Sequence, residues 1–400
     1  MRINRRAAAV VGLFVASAAV GALGPFEARL ADETALDAGG PASRLAAVPV
    51  ETTTTSSTTT TTSSTTTTTS PPAPPNLYAA ALGPSLTPGV ADIPVRVYVP
   101  NSGAGTVSVI DPTTFEVVDK VAVGRVPHHV TPSWDLSRLY VNNTESNTMT
   151  VIDPRTGQPI ATIPVTDPYN LYFTPDGSKA IVVAERFQRL DFYDPASWTL
   201  LKSVPIPWSG VDHGDFTADG RWFLASTEFS GQVVKVDTVA MEVAAHVTVG
   251  GLPIDVKVAP DGAVAYVTNQ GRHGVSIIDP ESMTEIDFLA TGKGAHGLTV
   301  SRDARSLYVS NRLDGSITVI DLASRAVAAT WKVGGSPDMM QVTADGSQLW
   351  VSNRYHGSVS VIDTATGAVL HTIVTGPGAH GLSLFPQPGN HSIGHNGVYR

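Results

Sequence analysis

The chain contains no cysteine. That excludes disulfides, thiolate metal sites and cysteine nucleophiles. It also excludes a c-type haem, which needs Cys-x-x-Cys-His, and an acylated lipobox anchor. Positive charge is scarce: 26 Lys and Arg stand against 35 Asp and Glu, for a net charge of −9. No Lys/Arg-dense run occurs beyond the extreme N-terminus, so no nucleic-acid partner is expected, since such a surface needs a basic stripe to displace counterions. Helical periodicity is absent as well. What is plentiful is apolar residues (42%), with 36 Gly and 29 Pro among 400 residues. Such a composition suits many short strands joined by tight turns around a sizeable core.

Residues 1–24 have the form of an export signal. Arg2, Arg5 and Arg6 make a positive start, and Ala7 to Leu23 is an uncharged apolar run. The run is near the shortest length that spans a bilayer, so a cleaved signal peptide and a retained N-terminal membrane anchor both remain open. Either way an extracytoplasmic location is expected: secreted, periplasmic or cell-surface. Residues 25–75 follow as a stalk. Thr52 to Ser70 is almost wholly Thr and Ser, and Pro71-Pro72-Ala73-Pro74-Pro75 ends it. Nothing there can bury enough apolar area to offset chain entropy, so disorder is expected.

From residue 76 onward the chain repeats. An Asp closes an apolar alternating run at Asp111, Asp153, Asp194, Asp237, Asp279, Asp321 and Asp363, with gaps of 42, 41, 43, 42, 42 and 42. A second marker, a turn aspartate at Asp135, Asp176, Asp219, Asp261, Asp303 and Asp345, gives gaps of 41, 43, 42, 42 and 42. Each period holds four short alternating runs separated by Gly and Asp turns. Four strands per repeat make a propeller blade. The first repeat begins at a second strand, near Val95 to Asn101, and the chain ends its last repeat with one extra inner strand, His380 to Phe385. The fold expected is therefore all-β: a seven-bladed β-propeller with four antiparallel strands per blade, closed by pairing that last strand with the N-terminal ones, and expected to be monomeric. A tail, residues 386–400, continues past it. It either frays, caps the lower opening or enters the channel.

Tyr266-Val267-Thr268-Asn269, with variants at Tyr308-Val309-Ser310-Asn311 and Trp350-Val351-Ser352-Asn353, resembles the signature of the YVTN family of β-propeller repeats. The resemblance spans roughly residues 93–387. It implies the fold and an extracytoplasmic habit. Related propellers include surface-layer proteins, lactonase-like and lyase-like enzymes and a haem-binding domain, so it implies no single activity.

Aligning the inner strands by their turn aspartates gives two columns. One reads His128, Tyr169, Asp212, Ile254, His296, Asp338, His380; the next reads His129, Asn170, His213, Asp255, Gly297, Met339, Gly381. Both belong at one end of the central channel, here called the top. The loops between second and third strands lie on the same face and add Glu185, Arg186, Glu228, Arg312 and Arg354. Most of the eleven His gather at this rim. Three readings follow. The first is a divalent metal site, zinc or copper, with His128, His296, His380, Asp212 and Asp338 as candidate ligands. The second is a metal-free site in which His129, His213, Asp255, Glu185, Arg186, Arg312 and Arg354 bind a small molecule or protein, or perform acid–base chemistry. The third is a solvated rim with no further role. The function expected is an exported binding or scaffold module with its site at this mouth. The alternative is a lactonase-like, lyase-like or metal/redox protein of the envelope.

Overall fold

The computed structural model describes residues 76–400. The expected signal and stalk, residues 1–75, lie outside the described residues. The rest forms seven four-stranded antiparallel sheets arranged as blades. Blade 7 is typical: its strands run Pro337–Val342, Gln348–Asn353, Ser358–Asp363 and Val369–Val374. Its inner strand is fully buried, whereas an outer strand such as Glu242–Thr248 alternates exposed and half-buried residues. The Val- and Ile-rich middle strands explain the density of the core. Each blade packs both faces against its neighbours, so clusters such as Tyr266, Val275, Ile277, Leu298 and Val309 join blades 5 and 6. The turn aspartates act locally: Asp363 Oδ1 accepts the N–H groups of Ala365 and Thr366, and Asp111 Oδ1 accepts that of Thr113.

Blade 1 combines both ends of the propeller. Ser383–Phe385 pairs antiparallel with Arg96–Asn101, which leads on to Thr106–Asp111 and Glu116–Ala122. The last strand is shorter than its sequence pattern. Before it, Gly381 forms a parallel bridge to His129 of blade 2, so this stretch clasps two blades at once.

The tail enters the channel. His391 to Arg400 fold back as a hairpin, with Ile393 and Val398 hydrogen-bonded and Ser392 bridged to Tyr399. One arm docks on the inner strand of blade 3, where Phe173 N–H donates to Ile393 and His395 N–H donates to Leu171. The tip, Gly394-His395-Asn396-Gly397, points up the channel. Gln341 Nε2 clamps it by donating to the carbonyls of Asn396 and Gly397 at 2.6 and 2.7 Å. At the base, Arg400 pairs with Asp215 at 2.7 Å and Tyr78 lies over the Arg400 guanidinium. Near this end lies a half-open pocket of about 70 Å³, lined by Lys257, Arg302, Gln341 and Tyr399, which is room for a few waters.

Candidate functional site

In five of the seven blades the two columns of channel residues sit in β-bulges. Pairing between inner and second strands slips between Pro127 and Val130, Val211 and Gly214, Pro253 and Val256, Ala295 and Leu298, and Pro337 and Met340. The residues inside the slips are His128-His129, Asp212-His213, Ile254-Asp255, His296-Gly297 and Asp338-Met339. A bulge frees backbone groups and re-aims side chains. Hydroxyls on the second strands take up the freed groups. Thr268 Oγ1 accepts the Asp255 N–H and donates to the His296 carbonyl of the next blade. Ser310 does the same for the Gly297 N–H and the Asp338 carbonyl. These are the third positions of the Tyr-Val-Thr-Asn motif and its variant. The motif therefore holds the site columns in place as well as building the blade.

At the upper level His296, Asp338 and His380 come together, as their shared column predicts. His296 Nδ1 lies 2.8 Å from Asp338 Oδ1, off the N–H axis, and His380 Nε2 lies 3.7 Å from Asp338 Oδ2. Arg312 is inserted among them. Its Nη2 donates to Asp338 Oδ1 at 2.6 Å and contacts His296 Nε2. Burial pushes Asp338 upward, but Arg312 and His296 outweigh it and hold the carboxyl well below the usual range. His296 is lowered to about 4 by burial and by Arg312. A guanidinium thus stands where a metal would, using the His296 lone pair and neutralising the carboxylate, and these three residues fit an internal ion pair better than a metal. His128 is directed elsewhere: its Nδ1 bonds Thr144 Oγ1 at 2.7 Å, and its ring centre is 5.3 Å from that of His380. Asp212 is not part of this cluster either, and lies 2.8 Å from His213 Nδ1.

Across the mouth, blades 3 and 4 supply Glu185, Asp212 and Glu228. Burial, with Asp212 and Asp167 nearby, raises Glu185 to about 7. Burial and Asp212 raise Glu228 well above the carboxylate range. Glu228 is 5% exposed, and its carboxyl makes no hydrogen bond to a described residue. Facing this wall, Arg354 of blade 7 is also only 5% exposed. Its guanidinium has no hydrogen bond or ion pair among the described residues. Its charge is felt at His128 and His380, which burial and Arg354 together push down, His128 to about 3. Arg186 is a different case. It is exposed and tied to the buried Asp167, which makes it a local ion pair at the rim.

The lower level holds His129, His213 and Asp255, joined by His395 from the tail. His129 Nε2 lies 3.3 Å from His213 Nε2, and His129 Nδ1 lies 2.7 Å from Asn396 Oδ1. Asp255 Oδ2 accepts the Leu298 N–H, while Oδ1 has no partner. Sequence reasoning did not place His395 or Asn396 here, because the tail follows no repeat. It also overlooked an apolar rim. Phe187, Leu313 and Tyr355 are 53, 59 and 50% exposed on the top loops, where the same 42-residue spacing that located Arg312 and Arg354 would have found the last two.

Residues 74–387 match the family model described as YNCE-like beta-propeller, and the chain belongs to that family. No curated protein matches it. Among solved structures, it resembles a chain of hydrazine synthase from Kuenenia stuttgartiensis: TM-score 0.60, 22% identity, covering 69% of this chain and 94% of that one. A functionally unknown protein from Desulfotomaculum acetoxidans DSM 771 gives TM-score 0.63 at 17% identity, covering 72% and 98%. A putative 6-phosphogluconolactonase from Bacteroides uniformis ATCC 8492 gives 0.61 at 16%, covering 72% and 99%. At these identities the likenesses concern the fold alone.

Proposed function

We propose that this YNCE-like β-propeller is an exported binding module whose top mouth takes a small zwitterionic ligand, such as an amino acid or short peptide. The observation that carries this reading is Arg354, only 5% exposed at the mouth, whose guanidinium makes no hydrogen bond or ion pair among the described residues. A ligand carboxylate could meet this guanidinium by a two-pronged hydrogen bond. The wall of Glu185, Asp212 and Glu228 suits an ammonium group at the ligand's other end. The export half of the reading rests on the apolar run Ala7 to Leu23 and the Thr/Ser stretch that follows it.

A thermal-shift panel on the full chain tests this, since a ligand that binds only the folded state raises Tm. Glycylglycine should raise it more than equal concentrations of acetate or methylammonium, and Arg354→Met should abolish the difference. If all three probes act alike on the wild type, the reading is wrong.

One observation favours a second reading. Glu185, at about 7, is poised for acid–base work near neutral pH. In that case the mouth would turn over a lactone or similar substrate, and Glu185→Gln would lower kcat without raising KM. Equal turnover by wild type and Glu185→Gln would remove it.

A further inference from the structure

We propose that His129, His213 and His395 form a zinc or copper site inside the channel, below the mouth, completed by the C-terminal hairpin. Each of the three rings is buried and offers one nitrogen, and these nitrogens lie within 4.8 Å of one another. Two imidazoles bound at about 2.1 Å to a tetrahedral ion stand roughly 3.4 Å apart. The His129 and His213 Nε2 atoms are 3.3 Å apart. Their other nitrogens lie near acceptors. His129 Nδ1 meets Asn396 Oδ1, an acceptor, and His213 Nδ1 lies beside the Asp212 carboxylate. With the proton on Nδ1 of each ring, beside these acceptors, the two Nε2 lone pairs face each other in a buried channel. Lone pairs at that separation repel unless a cation lies between them. The carboxylate behind His213 is the usual outer partner of a metal-bound histidine.

Two further observations support the assignment. Asp255 is fully buried with Oδ1 unpartnered among the described residues, and its Oδ2 lies 4.0 Å from His395 Nε2, so a carboxyl group adjoins the cluster. No guanidinium is inserted among these three rings, in contrast to the upper cluster. Neutral imidazoles suit zinc and copper; burial pushes His129 and His395 well below the ordinary range, whereas at His213 burial is outweighed by Asp212, which raises it. Three protein ligands leave a fourth position for water or another small ligand.

The competing occupant is a proton on His213. A rotated Asn396 amide could also close a metal-free hydrogen-bonded chain through the same rings. Metal content separates these from the proposal. The full chain, made without a polyhistidine tag and supplied with zinc or copper, should retain about one metal per chain after dialysis, with X-ray absorption showing about three imidazole nitrogens near 2.0–2.1 Å. His395→Asn and His213→Asn should retain a tenth or less of that amount. His246→Ala, on an outer strand, should retain all of it. Wild-type protein that holds no stoichiometric metal overturns the proposal, whatever the variants do. Equal loss in His296→Gln would move the ion to the upper cluster and overturn the assignment. The proposal does not depend on the zwitterion reading, because Arg354→Met should leave the metal in place.

Discussion

Arg312 and Asp338 illustrate what a residue does in this channel. Both are nearly inaccessible, and each is the other's closest charge, at 2.6 Å. Removing one leaves a buried ion unpaired, so Arg312→Met should destabilise the fold by about 3–5 kcal/mol in denaturant unfolding. Adding Asp338→Leu should return much of that. The Asp338 carboxyl is held below its unfolded value, so its contribution is present above the ordinary carboxylate range and fades as pH falls through the folded value. Glu185 has the opposite sign. Its folded value, about 7, lies above the unfolded one, so its contribution is full at low pH and is lost as pH rises to and through 7. Glu185→Gln should therefore flatten the fall in stability between pH 5 and pH 8, read as Tm against pH. An unchanged slope would mean that Glu185 ionises normally.

At the scale of elements, the bulges and the tail hairpin decide what the channel presents. Thr268 spans two blades through one hydroxyl. Thr268→Val keeps the shape and strands both partners, so a loss of about 1–3 kcal/mol is expected, together with a smaller ligand-induced shift in Tm. The hairpin depends on Gly394, which has φ of 102° and whose missing Cβ would stand 2.4 Å from the Leu171 carbonyl oxygen. Gly394→Ala should unseat the tip, exposing the tail to limited proteolysis and releasing any bound metal. If the tail stays protected, it docks in another way. The sequence showed these two elements unequally. The site columns were visible because a fixed period puts equal positions at equal depth in the channel. His395 and Asn396 were not, since a Gly-rich polar segment with no repeat reads the same whether it frays or folds back. Arg312 was seen at the mouth but not as the partner of Asp338, because that contact crosses from the loop after the second strand of one blade to the inner strand of the next.

At the scale of the whole molecule, Ser383–Phe385 pairs with Arg96–Asn101, and the hairpin meets Tyr78 through Arg400 at the lower end. The top carries an electrically divided mouth, with carboxyl groups from blades 3 and 4 opposite guanidinium groups from blades 6 and 7. Blade number could be read by counting, because each look-alike repeat holds the four short strands of one blade. The division of charge could be read only once the rings were built in space. The central claim is that this mouth binds a ligand through the unpaired Arg354, and calorimetric titration of the full chain with glycylglycine at neutral pH tests it most directly. The account predicts one site per chain, weakened at least tenfold, or by about 1.4 kcal/mol, in Arg354→Met. Absence of any binding heat, or equal affinity in wild type and variant, would contradict it.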